Sequence, residues 1–121
     1  MSGKLSRDII QERKGKICTV CYEIVDKRSA PEFLTLKFRD RFDDMFPYRL
    51  MKRATQIDES HLRIVFSEEL VIVKGVQLEP ILLGLSNARI TFLREAPDWH
   101  LPRQSEGYIE NIALQTHDDD G

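Results

Sequence analysis

Apolar and polar positions alternate with period two along most of this chain, and give way to a helical period only briefly. Alternation puts successive side chains on opposite faces of a strand, whereas a helix repeats every 3–4 positions. The clearest stretch runs from Leu62 to Leu93. Leu-Arg-Ile-Val-Phe-Ser and Leu-Val-Ile-Val-Lys-Gly each predict a strand, and Gly75 is expected to break the second. Residues 78–86 predict a helix: Leu78, Leu82 and Leu85 make a stripe with Ile81 beside it, and Pro80 falls in the first turn, where its missing N–H has no partner to lose. Gly84 lets that helix come close to a sheet, and Asn87 is expected to take the left-handed conformation that ends it. Residues 88–95 then predict a strand with Ile90 and Phe92 on one face and Thr91 and Leu93 on the other. The core expected from these patterns is Leu62, Ile64, Phe66, Val71, Val73, Leu78, Leu82, Ile90 and Phe92.

Upstream, residues 17–26 alternate as one strand. Lys27 to Pro31 reads as a turn, and residues 33–39 alternate again, so the two strands are expected to pair as a hairpin. Residues 40–48 are expected to be irregular or one helical turn, stopped by Pro47. Residues 49–57 fit strand or helix; strand is favoured because Asp58-Glu59-Ser60 then turns into the strand at His61. A last short strand or turn is expected over 108–114. Leu5 and Ile9 allow a short N-terminal helix within 1–16, and residues 115–121 read as a disordered acidic tail. The fold class expected is therefore α+β: a mainly antiparallel twisted sheet of about five or six strands, with the 78–86 helix on one face, forming one domain over 17–114. If the strands at 70–74 and 88–93 are parallel neighbours, the helix between them makes a right-handed crossover.

Length and charge add limits. A chain of 121 residues is long enough to bury a core without a disulfide or metal. A net charge of −2 lacks the basic excess of a protein that binds nucleic acid over its whole surface. The basic start of the chain is unlike a secretory signal, and Lys74, Glu79 and Pro80 interrupt the longest apolar run. A soluble, cytoplasmic protein without membrane contact is the expectation.

Three groups of residues could carry chemistry. Cys18 and Cys21 have the spacing of half a zinc knuckle, but no second pair completes it, and alternation aims the two thiols apart. They read as small core residues, with neither disulfide, metal nor cofactor expected. Trp99 and His100, between Pro97 and Pro102, make a pinned loop fit to hold a ligand; the plainer expectation is a Trp packed onto the sheet beside an exposed His. Lys37, Arg39, Arg41, Tyr48, Arg49, Lys52 and Arg53 form a basic strip interleaved with Phe38, Phe42 and Phe46, and that mixture suits single-stranded nucleic acid. Asp40, Asp43 and Asp44 in the same strip repel phosphate, and the three Phe residues also fit a buried face. The adjacent carboxylates Asp58-Glu59 and Glu68-Glu69 read as solvated turns.

With no catalytic residues identified, the leading expectation is a non-catalytic binding or protein-interaction module. Its partner is another protein or a second copy in a weak homo-oligomer, because one helix covers only one sheet face. The alternative is a single-strand nucleic-acid binder using Lys37 to Arg53. A thiol or metal enzyme built on Cys18, Cys21 and His100 ranks last.

Overall fold

A computed structural model describes residues 16–116 of the chain. The expected N-terminal helix lies outside these residues, as does most of the acidic tail.

The fold is α+β, but with two sheets in place of the expected one. Five strands form the first sheet in the order β1-β2-β8-β3-β4, and four form the second in the order β5-β6-β7-β9. The first contains β1 (Ile17–Cys18), β2 (Tyr22–Ile24), β3 (Phe33–Lys37), β4 (Asp44–Pro47) and β8 (Ile90–Arg94). The second contains β5 (Met51–Asp58), β6 (His61–Phe66), β7 (Glu69–Val76) and β9 (Tyr108–Thr116). Only β3 and β8 run parallel. The inner faces share one apolar cluster, with Leu34, Leu36, Ile90 and Leu93 from the first sheet and Leu62, Ile64, Val71 and Val73 from the second. Phe46 and Phe66 meet across it, ring centroids 4.8 Å apart.

The second sheet follows the hydrophobic pattern closely. In β6 and β7, Leu62, Ile64, Phe66, Val71 and Val73 point inward and Arg63 and Lys74 outward. Residues 51–58 are strand, as favoured, behind a single 3-10 turn at Tyr48–Leu50. β9 continues to Thr116, two residues into the expected tail, and pairs Glu69 with Thr116.

The first sheet departs from expectation in four places. Residues 44–47, expected to be irregular or helical, form strand β4 because Leu34 and Leu36 of β3 find Phe46 and Asp44 as register partners. Residues 17–26 are not one strand: Thr19 N–H bonds Tyr22 C=O, and the chain folds back into a tight β1–β2 pair. The β2–β3 hairpin does not form, because β8 inserts between these strands, antiparallel to β2 and parallel to β3. A bulge against Glu23 and Ile24 adds a residue to β8 at Thr91, so Ile90 and Leu93 both face inward and Phe92 turns out. Phe92 thus leaves the predicted core.

The helix α1 (Glu79–Ser86) does not cross over within one sheet. It links β7 of one sheet to β8 of the other, and touches both β5 and β8. Its buried side is Leu78, Ile81 and Leu85, while Leu82 is only partly buried. A helix wedged between two sheets points the Ile81 side inward, which replaces Leu82 in the predicted stripe. The close approach expected at Gly84 is present: a Cβ there would lie 2.7 Å from Ile90 Cγ1 and 3.3 Å from Ile24 Cγ1. Asn87 is not left-handed; Ala88 is, at φ 55°. Gly75 does not end β7 either. It sits inside the strand where the register shifts against β9, and a Cβ there would collide with the Tyr108 carbonyl oxygen.

Candidate functional site

The β3–β4 and β8–β9 loops emerge at one end of the molecule. Between them lies a cleft of about 700 Å³, lined by Lys37, Phe38, Arg39, Asp40 and Asp43 on one bank and Arg94, Glu95, Pro97 and Asp98 on the other. The ends of β3 and β8 position it, since parallel pairing sets Lys37 beside Arg94.

The floor is a buried carboxylate. Glu95 is 7% exposed. Its Oε1 accepts the Arg39 backbone N–H at 2.9 Å, and its Oε2 accepts that of Ile112 at 2.8 Å. Around it, Ala96 N–H donates to Ile109 C=O, and Arg39 Nη1 donates to the carbonyls of Ala96 at 2.7 Å and Glu110 at 3.1 Å. β9 is an edge strand of the second sheet. These bonds engage its outer edge at Ile109, Glu110 and Ile112 and tie it to the end of the first sheet. An otherwise open edge is thereby capped.

The loop rims are built in the opposite sense. Phe42 is 94% exposed, Trp99 73% and Leu101 70%, the highest values for large apolar side chains among the described residues. His100, next to Trp99, is 4% exposed, so the expected arrangement of a packed Trp and an exposed His is reversed. The His100 ring stacks on Tyr108 at 5.8 Å, and its Nε2 lies 3.9 Å from Glu106 Oε2. His100 N–H closes a turn onto Pro97 C=O, and Trp99 meets the outer side of the imidazole edge-on at 5.7 Å. The far end of the loop is held by Gln77, whose side chain donates to Arg103 C=O and accepts from Ser105 N–H, both at 2.8 Å. Trp99 and Leu101 are therefore displayed from a loop anchored at both ends.

The residues singled out in the sequence separate into groups. Lys37 and Arg39 line the cleft, Arg41 stands on the same loop with its guanidinium 4.6 Å from the Phe38 ring, and Trp99 and His100 occupy the other loop. Tyr48 sits apart and is mostly buried: its OH donates to Ile90 C=O at 2.7 Å, and burial pushes the phenol pKa up. Arg49 is exposed in the 3-10 turn, Lys52 lies at a bulge of β5, and Arg53 is on the outer face of the second sheet. The basic strip is thus divided between outer faces that point in opposite directions. Of its aromatic members, Phe46 is buried, Phe38 partly buried and Phe42 exposed.

Glu95 and Gln77 are absent from the residues singled out in the sequence, and Phe92 is expected there only as core. Phe92 lies on the outer face of the first sheet, with Lys37 Nζ 4.8 Å and Arg94 Cζ 5.0 Å from its ring centroid. Glu95 and Gln77 carry no sequence signal, because a single carboxylate or amide at a strand end looks like any surface residue. Both thiols are free. Cys18 is exposed, whereas Cys21 is buried, accepts the Ile109 N–H and has its thiol pKa raised by burial.

No family model, no curated protein and no solved structure matches this chain. Fold and site together define a two-sheet α+β protein with a buried polar floor and apolar loop tips at one end.

Proposed function

We propose that this protein is a soluble, non-catalytic interaction module that engages a protein partner through the loop end. One observation carries the reading: Phe42, Trp99 and Leu101 are held out to water from the two loops that bank the cleft. Trp is among the residues most often responsible for interface affinity. The groups beneath support binding over turnover. Glu95 has both oxygens engaged by backbone N–H groups, and Arg39 has its guanidinium on two carbonyls. The compartment we infer is the reducing cytoplasm, where Cys18 and Cys21 remain thiols. Among the described residues no helix is long and apolar enough to cross a membrane.

The nucleic-acid reading has less support. Phe92 with Lys37 and Arg94 has the chemistry to stack a base, but Arg49, Lys52 and Arg53 do not continue that surface.

Trp99 is the only tryptophan, so its emission reports directly on the proposed surface. The first partner to test is a second copy. Sedimentation and Trp99 emission, followed together against concentration, should show association with a blue shift if copies cover this end. A heterologous partner captured by the native chain should be lost by a Phe42→Ser/Trp99→Ser double variant that keeps the native circular dichroism. Equal capture by both proteins, together with concentration-independent emission, contradicts the proposal.

A further inference from the structure

The outer face of the four-stranded sheet carries Arg53, Arg63 and Lys74 together with two carboxylates, Asp58, hydrogen-bonded to His61 Nδ1 at 2.9 Å, and Glu110, beside Lys74. Alternation in β6 and β7 sends Arg63, Val65, Leu70, Ile72 and Lys74 outward, while β5 contributes Arg53. The register sets Val65 opposite Leu70 and Arg63 opposite Ile72, so a half-buried aliphatic stripe runs between the cations. Arg53 and Arg63 make no ion pair or side-chain hydrogen bond among the described residues. Lys74 reaches Glu110 only at 3.9 Å, with both side chains at least half exposed. The whole chain carries a net charge of −2, so this basic face is local and does not reflect bulk composition.

We propose that this face is a second docking surface, and that its occupant is an acidic, extended protein segment with apolar side chains between its carboxylates. Arg53 lies opposite Val65 and Arg63 opposite Thr55, which makes the two guanidiniums diagonal neighbours about 7–8 Å apart at the backbone. Carboxylates at alternate positions of an extended segment repeat every ~6.8 Å. A guanidinium binds a carboxylate with two parallel hydrogen bonds and is weakly hydrated, so it tolerates an interface well. The aliphatic stripe favours a peptide over nucleic acid: bases stack on aromatic rings, the stripe of Val65, Leu70 and Ile72 carries none, and the His61 ring beside Lys74 is already hydrogen-bonded to Asp58.

The test uses the full chain and fluorescence anisotropy. The probe is a short labelled peptide alternating Glu with Val; the same peptide with Lys in place of Glu and a labelled oligothymidylate serve as comparisons. The Glu peptide should bind with salt-sensitive affinity. Arg53→Glu/Arg63→Glu should weaken it about tenfold or more, and Arg53→Gln/Arg63→Gln by less. Phe42→Ser/Trp99→Ser should leave it unchanged, which separates this face from the loop end. No binding of the Glu peptide, equal binding of the Lys peptide, unchanged affinity in both Arg double variants, or tighter binding of the oligothymidylate would each overturn the proposal.

Discussion

The body of this protein and its loop end follow opposite rules. In the body, Leu62, Ile64, Val71 and Val73 face inward while Arg63 and Lys74 face water. At the loop end the buried groups include Glu95 and His100, and the exposed ones are Phe42, Trp99 and Leu101. An exposed leucine alone means little on any protein; buried charge beside exposed aromatics is informative. The body is arranged for stability. The loop end buries polar groups to hold two loops in place and leaves apolar surface uncovered, an arrangement that stability alone does not favour. Departures from local consistency of this kind concentrate where a protein binds or reacts.

In the body, Ile64→Ala or Leu85→Ala should cost about 2–5 kcal/mol, read from urea denaturation, because both sites are fully buried. Gly75→Ala should cost roughly 3 kcal/mol, since the new Cβ meets the backbone of β9. At the loop end, Glu95→Ala should destabilise by about 2–5 kcal/mol despite the absence of apolar packing, because it strands the N–H groups of Arg39 and Ile112. A cost for Glu95→Ala within the ~0.5 kcal/mol typical of surface changes would remove the claim that the loop end rests on a buried carboxylate. Phe42→Ser and Trp99→Ser should each stay within about 0.5 kcal/mol of the native stability.

Smaller effects sharpen the picture of the body. Tyr48→Phe should cost about 1 kcal/mol through the lost bond to Ile90 C=O. Ala88→Gly should stabilise by about 0.5–1 kcal/mol, because φ is 55° there and glycine adopts it without a Cβ clash. Burial raises the Glu23 pKa, but hydrogen bonds from Thr91 and Lys16 outweigh it and hold the carboxyl below its usual range. A folded pKa below the unfolded value of about 4.3 means a contribution present above that pH and lost as pH falls through the folded pKa. Urea midpoints at about pH 6 and pH 3 should therefore differ less for Glu23→Gln than for the native chain.

What the sequence revealed follows the same division. In β6 and β7 a buried inner face and a solvated outer face impose strict alternation, and Leu62 to Val73 can be read directly. The outward turn of Phe92 cannot be read, because the Thr91 bulge arises only when β2 pairs with β8. The insertion of β8 between β2 and β3 is a long-range choice that no local pattern marks. Gly75 looks like a strand end because the sequence gives no sign that the Tyr108 backbone passes close to it. Lys37, Arg39, Trp99 and His100 are chemically notable in the sequence, yet which ring faces water depends on Tyr108 and Glu106 flanking the imidazole.

The most direct test of the proposed role is the accessibility of Trp99, the single tryptophan, to a neutral collisional quencher such as acrylamide, measured in the isolated dilute protein and again with a bound partner. Solvent-like emission and near-complete quenching are expected in isolation, followed by a blue shift and protection on binding, with Glu95 and the fold intact. A Trp99 that is already shielded in the dilute native protein, or one whose quenching does not change when a partner is bound, contradicts the account.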